Sequence, residues 1–240
     1  MANIDSLGEP LAQVVERTMP LRRRADDEGP AIRYARRIRI LLIRHGESEM
    51  NLRGDLVGGF SPETPLTELG RAQAAALGAH LEAERIVPDE IHVSPATRTR
   101  ETARIALATL GSRIEPREDL RLAELRHGVW EGRSRREAYP PEVAARIMRE
   151  QMDFKLEGGE SMREVSARMR SWSESVLARA PRTVLAFGHS MAIRCLLATL
   201  FDWTHDRTYQ TVTANTSISA IAYEPGRGWT LEHVGATPHL

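Results

Sequence analysis

The sequence is short of three things. It has a single cysteine, Cys195, among 240 residues; its 33 Lys+Arg are matched by 33 Asp+Glu, so it carries no net charge; and it has no apolar run of the roughly 18 residues needed to cross a bilayer. Each shortage excludes something. One cysteine cannot build an internal disulfide framework and fits a reducing compartment. Its setting, IRCLLATL, reads as a buried helix position rather than a reactive thiol. Balanced charge leaves no overall field to draw the chain toward nucleic acid or an anionic membrane, so any anion it handles must be held by local groups. Arg22, Arg23 and Arg24 are followed by ADDEGP, polar where the apolar core of an export signal would begin. A cytoplasmic protein is therefore expected.

The length fits one sizeable α/β body with an appendage. Residues 1–36 read as an N-terminal arm and linker, with Leu11, Val14, Val15 and Met19 at helical spacing before a charged stretch containing Gly and Pro. Residues 37–240 form the body. Ile38 to Ile43 is short and rich in Ile and Leu without sustained alternation, as expected of a central strand covered on both faces. Thr67 is placed to cap an alanine-rich helix, and Ile91 to Val93 reads as a short strand leading to a helix that starts near Pro95 or Ala96. Ser161 and Glu164 form a capping box, TVLAFGHSMAIRCLLATLF reads as strand, tight turn and helix, and SISAIAYEPGRGWTLEHV as a closing hairpin. Strands alternating with helices argue for a mainly parallel, layered α/β sheet.

Two segments share a design: LLIRHGES and VLAFGHSM each run an apolar strand into a histidine beside a glycine. In open α/β sheets ligands bind beyond the carboxyl ends of the strands, so His45 and His189 are expected to meet on one edge. A lone histidine at a strand end is ordinarily structural; two at equivalent places, one preceded by Arg44, point to chemistry. Arg98, in SPATRTRETA, leaves a strand at the turn into a helix and points to the same edge, where Ser94, Pro95 and the free N–H groups of that helix start would favour an anion. Planar, permanently charged guanidinium forks suit the oxygens of a phosphoryl group, so Arg44 and Arg98 are candidate grips, whereas Arg100 and Arg104 are expected to face solvent.

RHGESEMN, PLTELGRAQA, SPATRTRETA, LAELRHGVWEG, GGES and FGHSMAIR occur in the order found in the histidine phosphatase superfamily, the phosphoglycerate mutase-like or RHG family, which the chain resembles over roughly residues 38–225. The resemblance implies a three-layer α/β sandwich with a mainly parallel central sheet flanked by helices, making residues 37–240 the catalytic domain. It further implies His45 as the nucleophile, Arg44, Arg98, His189 and Asn51 as the phosphate pocket, and Glu124 as the proton donor and acceptor, with Glu47 as its rival. Departures from the family pattern fall where the substrate is met. The connection LRGDLVGGFSPETPLT places Asp55 near a position often held by arginine and is about two residues longer, Glu63 stands where an Asp is usual, and Gly58 keeps a backbone N–H to offer. Ser190 replaces a common glycine, His127 takes a position often aromatic, and Arg135 falls where mutases carry a substrate-gripping lysine, within a charged segment whose ordinary reading is a solvated face. The 34 positions from Glu124 to Gly158 are few for a mutase, whose long insertion there keeps water from the phosphoenzyme.

The expectation is a phosphatase acting on a small phosphorylated metabolite without cofactor, nucleic-acid partner or membrane. The eight histidines show no H-x-x-x-H or clustered ligand spacing for a metal. A cofactor-dependent phosphoglycerate mutase and an inactive phosphate-binding member of the fold are the alternatives. Oligomeric state is left open, a homodimer among the options.

Overall fold

Ile38–Arg44 forms strand β1, apolar on both sides because both sides are covered. Ile38, Ile40 and Leu42 point into one core, and Leu41 and Ile43 into a second core on the opposite face. Each of these buried aliphatic side chains contributes roughly 1.5–3 kcal/mol. The period-2 geometry of a strand thus serves two cores at once, and the run shows no apolar–polar alternation. The computed structural model describes residues 37–240, so the expected amphipathic arm lies outside the described residues.

Helices α1, Glu68–Ala83, and α2, Thr97–Leu110, cover one face of the sheet, contributing Leu77, Leu81, Ala103, Ala106 and Leu107 to one core. Helices α5, Met162–Arg179, and α6, Ser190–Phe201, cover the other with Val165, Met169, Trp172, Ile193 and Leu196. The sheet between them joins β1 to β2, Glu90–Val93, β3, Arg117–Glu118, β4, Thr183–Gly188, β5, Ile218–Glu224, and β6, Gly228–Ala236, in the order β3-β2-β4-β1-β5-β6. Strands β3, β2, β4 and β1 are parallel, β5 runs against β1, and β6 runs against β5. This is the expected mainly parallel three-layer sandwich. Helices α3, Arg135–Ala138, α4, Pro141–Glu150, and α7, His205–Gln210, lie outside the layers.

The capping signals work as the residue types require. Thr67 Oγ1 accepts from Gly70 N–H at 2.9 Å, and Ser161 and Glu164 form the reciprocal box at the start of α5. The helix expected from Pro95 or Ala96 begins instead at Thr97, with Ala96 in extended conformation at the cap position. Cys195 is buried in α6, and burial pushes its thiol up to about 12, which keeps it inert. Among the described residues no helix is long and apolar enough to cross a membrane.

Candidate active site

Register decides which side chains meet. Arg44 pairs with Gly188 across β1 and β4, and Val93 with Phe187 across β4 and β2. The residues after these strands, His45, His189 and Ser94, therefore emerge side by side at one sheet edge. His45 N–H bonds Gly188 C=O at 3.0 Å, and Ser94 N–H bonds Phe187 C=O at 2.9 Å. The two imidazole rings lie edge to face with centroids 5.2 Å apart.

The chain leaves β1 through Gly46, which presses backbone to backbone on the first turn of α1. A β-carbon at Gly46 would stand 2.5 Å from the Gly70 carbonyl oxygen, and one at Gly70 would overlap the carbonyl of Glu47. Only glycines allow this approach. Thr102 Oγ1 accepts from Gly46 N–H at 3.0 Å and donates to Arg98 C=O at 2.7 Å, so the turn after β1 is tied to α2.

The hydrogen bonds assign the tautomers of both histidines. His45 Nδ1 lies 2.7 Å from Gly46 C=O, which only accepts, so Nδ1 carries the proton and Nε2 keeps its lone pair, toward which Arg98 Nε donates at 3.3 Å. At His189, Arg98 Nη2 donates to Nδ1 at 3.1 Å, so Nε2 carries the proton and donates to Ser94 Oγ at 2.8 Å. Ser94 Oγ therefore accepts from His189 and orients its ring, and its own O–H remains a donor. Arg98 also donates to Ser61 C=O at 2.9 Å and Gly59 C=O at 3.0 Å. Arg44 Nη1 donates to Thr213 C=O at 2.8 Å, while its buried Nε has no acceptor.

Burial lowers Arg98 to about 10, with Glu124 pulling the other way, and lowers Arg44 as well. Burial, then the Arg98 charge, holds His45 and His189 well below the ordinary histidine value. Both are neutral in the folded protein near neutral pH, whereas in the unfolded chain they take up protons below about pH 6.5. Stability from this source is complete above that pH and is lost as pH falls from there toward the folded values. We expect urea denaturation at pH 7.5, 6.5 and 5.5 to show stability falling by about 1.4 kcal/mol in all for each of the two histidines, most of it between pH 6.5 and 5.5. His92 and His127, also lowered by burial, act in the same direction. A flat profile over this range would contradict the buried neutral pair.

Glu124 lies at the other side of the cluster. Its Oε1 accepts from Leu125 N–H at 2.9 Å and Ala192 N–H at 3.1 Å, and its Oε2 from Met191 N–H at 3.2 Å, so the carboxylate sits on the N-terminal turn of α6, where backbone N–H groups lack helical partners. Glu47, its rival, accepts from Thr67 Oγ1 at 2.8 Å and is held on the α1 cap. A cavity of about 690 Å³ opens beside Glu124, lined also by Gly58, His127, Arg135, Tyr139, Phe154, Met162 and Met191. Arg44, His45, Arg98 and His189 do not line it. It meets their cluster at Glu124 and at Gly59, whose carbonyl holds Arg98.

The remaining expected residues are placed as follows. Gly58, His127 and Arg135 face the cavity; His127 Nδ1 pairs with Tyr139 OH at 3.2 Å, and the Arg135 guanidinium lies over the Tyr139 ring at 5.9 Å. Asn51 Oδ1 accepts from Ser48 N–H, Ser48 Oγ and Asn215 Nδ2, which makes that oxygen the cap of a 3-10 turn. The Ser190 hydroxyl is taken by Thr213 Oγ1 at 2.7 Å. Thr213, Asn215, Tyr139 and Glu131 were not singled out from the sequence. Only Glu131 carried a signal, lying in the quoted LAELRHGVWEG block. Among the described residues no group of three or more His, Cys, Asp or Glu is arranged to hold a metal.

The model of the histidine phosphatase superfamily (branch 1) matches residues 40–237. A probable phosphoglycerate mutase GpmB of Yersinia enterocolitica is 34% identical over 216 residues, covering 85% of this chain and 95% of that protein. Among solved structures, a mycobacterial glucosyl-3-phosphoglycerate phosphatase is similar with a TM-score of 0.72 at 26% identity, over 84% of this chain and all (100%) of that one. The α-ribazole phosphatase from Shigella flexneri is similar with a TM-score of 0.71 at 25% identity, over 83% and 96%.

Proposed function

Since the chain belongs to the histidine phosphatase superfamily, we propose that it is a metal-independent phosphomonoesterase that hydrolyses a small phosphorylated metabolite through a phosphohistidine on His45. The observation that carries this reading is the tautomer of His45: Nδ1–H is held by the Gly46 carbonyl, so the Nε2 lone pair faces the Arg98 guanidinium. A neutral imidazole held this way is a nucleophile, and a guanidinium beside it is where a phosphoryl group binds.

In the first half-reaction the phosphate monoester seats its oxygens on Arg44 and Arg98. Arg44 Nε, a buried donor without an acceptor, favours such a ligand, because leaving that donor unpaired costs about 1–3 kcal/mol. His45 Nε2 forms the N–P bond as the P–O bond to the alcohol breaks, and Glu124, entering as the acid, gives its proton to the departing alkoxide. In the second half Glu124 takes a proton from water, whose oxygen attacks phosphorus as the N–P bond breaks, returning neutral His45 and inorganic phosphate. The cationic grip stabilises charge on the transferring group throughout. The cavity beside Glu124, lined by Gly58, His127 and Arg135, accepts the alcohol portion.

One observation favours the mutase reading, the 34% identity to a probable phosphoglycerate mutase. The segment between Glu124 and Gly158 weighs against it. It forms the short helices α3 and α4 and two 3-10 turns, too little chain to supply the long cover that keeps water from a phosphoenzyme. A phosphate-binding member without activity would lack the nucleophile or the acid, and candidates for both are present.

The test is release of inorganic phosphate from a panel of phosphomonoesters with chelator present. Turnover unaffected by chelator is expected. No release from any ester, together with interconversion of phosphoglycerates on addition of a bisphosphoglycerate primer, would replace this reading with the mutase.

A further inference from the structure

Glu131 takes no part in the chemistry above and does not line the cavity, yet its carboxylate gathers three backbone N–H groups from two separate stretches of chain. Oε1 accepts from His127 at 2.9 Å and from Phe60 at 3.2 Å, and Oε2 accepts from Ser61 at 3.2 Å. The loop it gathers is the one that holds Arg98. Gly59 C=O and Ser61 C=O accept from Arg98 Nη2 and Nη1, while Phe60 N–H and Ser61 N–H, the amides interleaved with those carbonyls, go to Glu131.

The loop backbone is shaped for this contact. Gly59 has φ +100° and Ser61 φ +33°, and a β-carbon at Gly59 would stand 2.5 Å from Glu131 Oε1. A side chain at position 59 would therefore push the carboxylate away, besides straining the backbone. The negative charge of Glu131 also acts on Arg98 directly, raising its affinity for protons against the effect of burial.

We propose that Glu131 is a positioning residue for phosphate binding: it clamps the 59–61 loop so that the loop carbonyls fix the plane of the Arg98 guanidinium between His45 and His189. This rests on the phosphate-gripping role of Arg98 given above. Four donations from Arg98, to His45 Nε2, His189 Nδ1, Gly59 O and Ser61 O, leave little rotational freedom in its fork. Two of these four acceptors depend on the loop. Loss of the clamp frees the loop, and Arg98 then has to be ordered by the ligand instead of before it arrives.

The assay is calorimetric binding of inorganic phosphate, with orthovanadate as a second probe, to the full chain and to E131Q. It needs no turnover, so a missing esterase activity would not obscure it. Glutamine keeps one acceptor oxygen but opposes an amide N–H2 to one of the loop N–H groups. We expect phosphate binding about tenfold weaker, kcat/KM with an aryl phosphate lower by about 10- to 100-fold, and a thermal midpoint within a few degrees of the parent. In an R98K background the further effect of E131Q should shrink below about twofold, because the acceptor it positions is no longer matched by a planar fork. Should E131Q fail to fold, E131D, which retains the charge and shortens the reach, is measured in its place against the same two criteria. Parent-like phosphate affinity in the folded variant, or an undiminished effect in the R98K background, would overturn the proposal. Absence of phosphate binding by the parent would overturn the phosphate-pocket reading and the clamp with it.

Discussion

Alanine in place of His45 is expected to abolish release of inorganic phosphate, by at least about 10⁴-fold for every ester tested, as loss of a covalent nucleophile does elsewhere. The size follows from the arrangement. The mechanism forms the N–P bond at His45 Nε2, and alanine supplies no nucleophile at that place. The variant should still bind inorganic phosphate, since Arg44 and Arg98 remain, so loss of turnover would be loss of chemistry and not of the site. Brief reaction with a labelled ester should leave an alkali-stable, acid-labile phosphoryl group on the parent and none on the variant. Full activity in the variant would end the covalent mechanism. Retained phosphate binding with no turnover in both proteins would leave an inactive member of the fold.

The second large effect is expected at Glu124. Substituting glutamine should slow turnover by roughly 10²- to 10⁴-fold for alkyl phosphates, whose alkoxides need a proton to depart, and far less for aryl phosphates with acidic phenols. The ratio between the two classes is the measurement, because the absolute rate also reflects a changed contact with α6. One carboxylate oxygen accepting from Met191 N–H or Ala192 N–H would become an amide N–H2 facing that donor. An equal loss for all esters would point to disturbance of the helix terminus. A loss graded by leaving group would identify the proton donor. Glu47→Gln provides the contrast. Its carboxylate is engaged with Thr67 at the α1 cap, so its substitution should change stability more than the leaving-group dependence.

The two strand-to-histidine segments were legible because a parallel sheet imposes a simple rule. Strand ends with the same direction and neighbouring places present the residues that follow them to the same edge, which is where His45 and His189 lie 5.2 Å apart. Arg98 was legible for the same reason, one strand further along. The caps at Thr67 and Ser161 were legible because they are local, involving residues three positions apart. Strand β3, with only two residues, had no comparable signal, and α4 packs on a small satellite cluster through Val143 and not on the main cores.

What escaped the sequence was the assignment of polar groups among several plausible partners. Spacing did not show that Ser94 Oγ accepts from His189, or that the oxygen of Asn51 caps a turn. Glu131 stood in a recognisable block with no visible partner, since its three donors lie 4, 70 and 71 positions away. Hydrogen bonds between distant segments depend on register and loop path to within about half an ångström, and one-dimensional spacing does not encode that.

By itself, the sequence determined the layered α/β architecture, the direction of its main strands and the edge where histidine and arginine would converge, because periodicity, caps and strand ends are properties of neighbouring residues. Only the tertiary structure decided which nitrogen of each histidine is protonated, which carboxylate stands at the cavity and which holds the loop. Those choices depend on contacts between segments far apart in the chain, where a displacement of one ångström exchanges one hydrogen-bond partner for another.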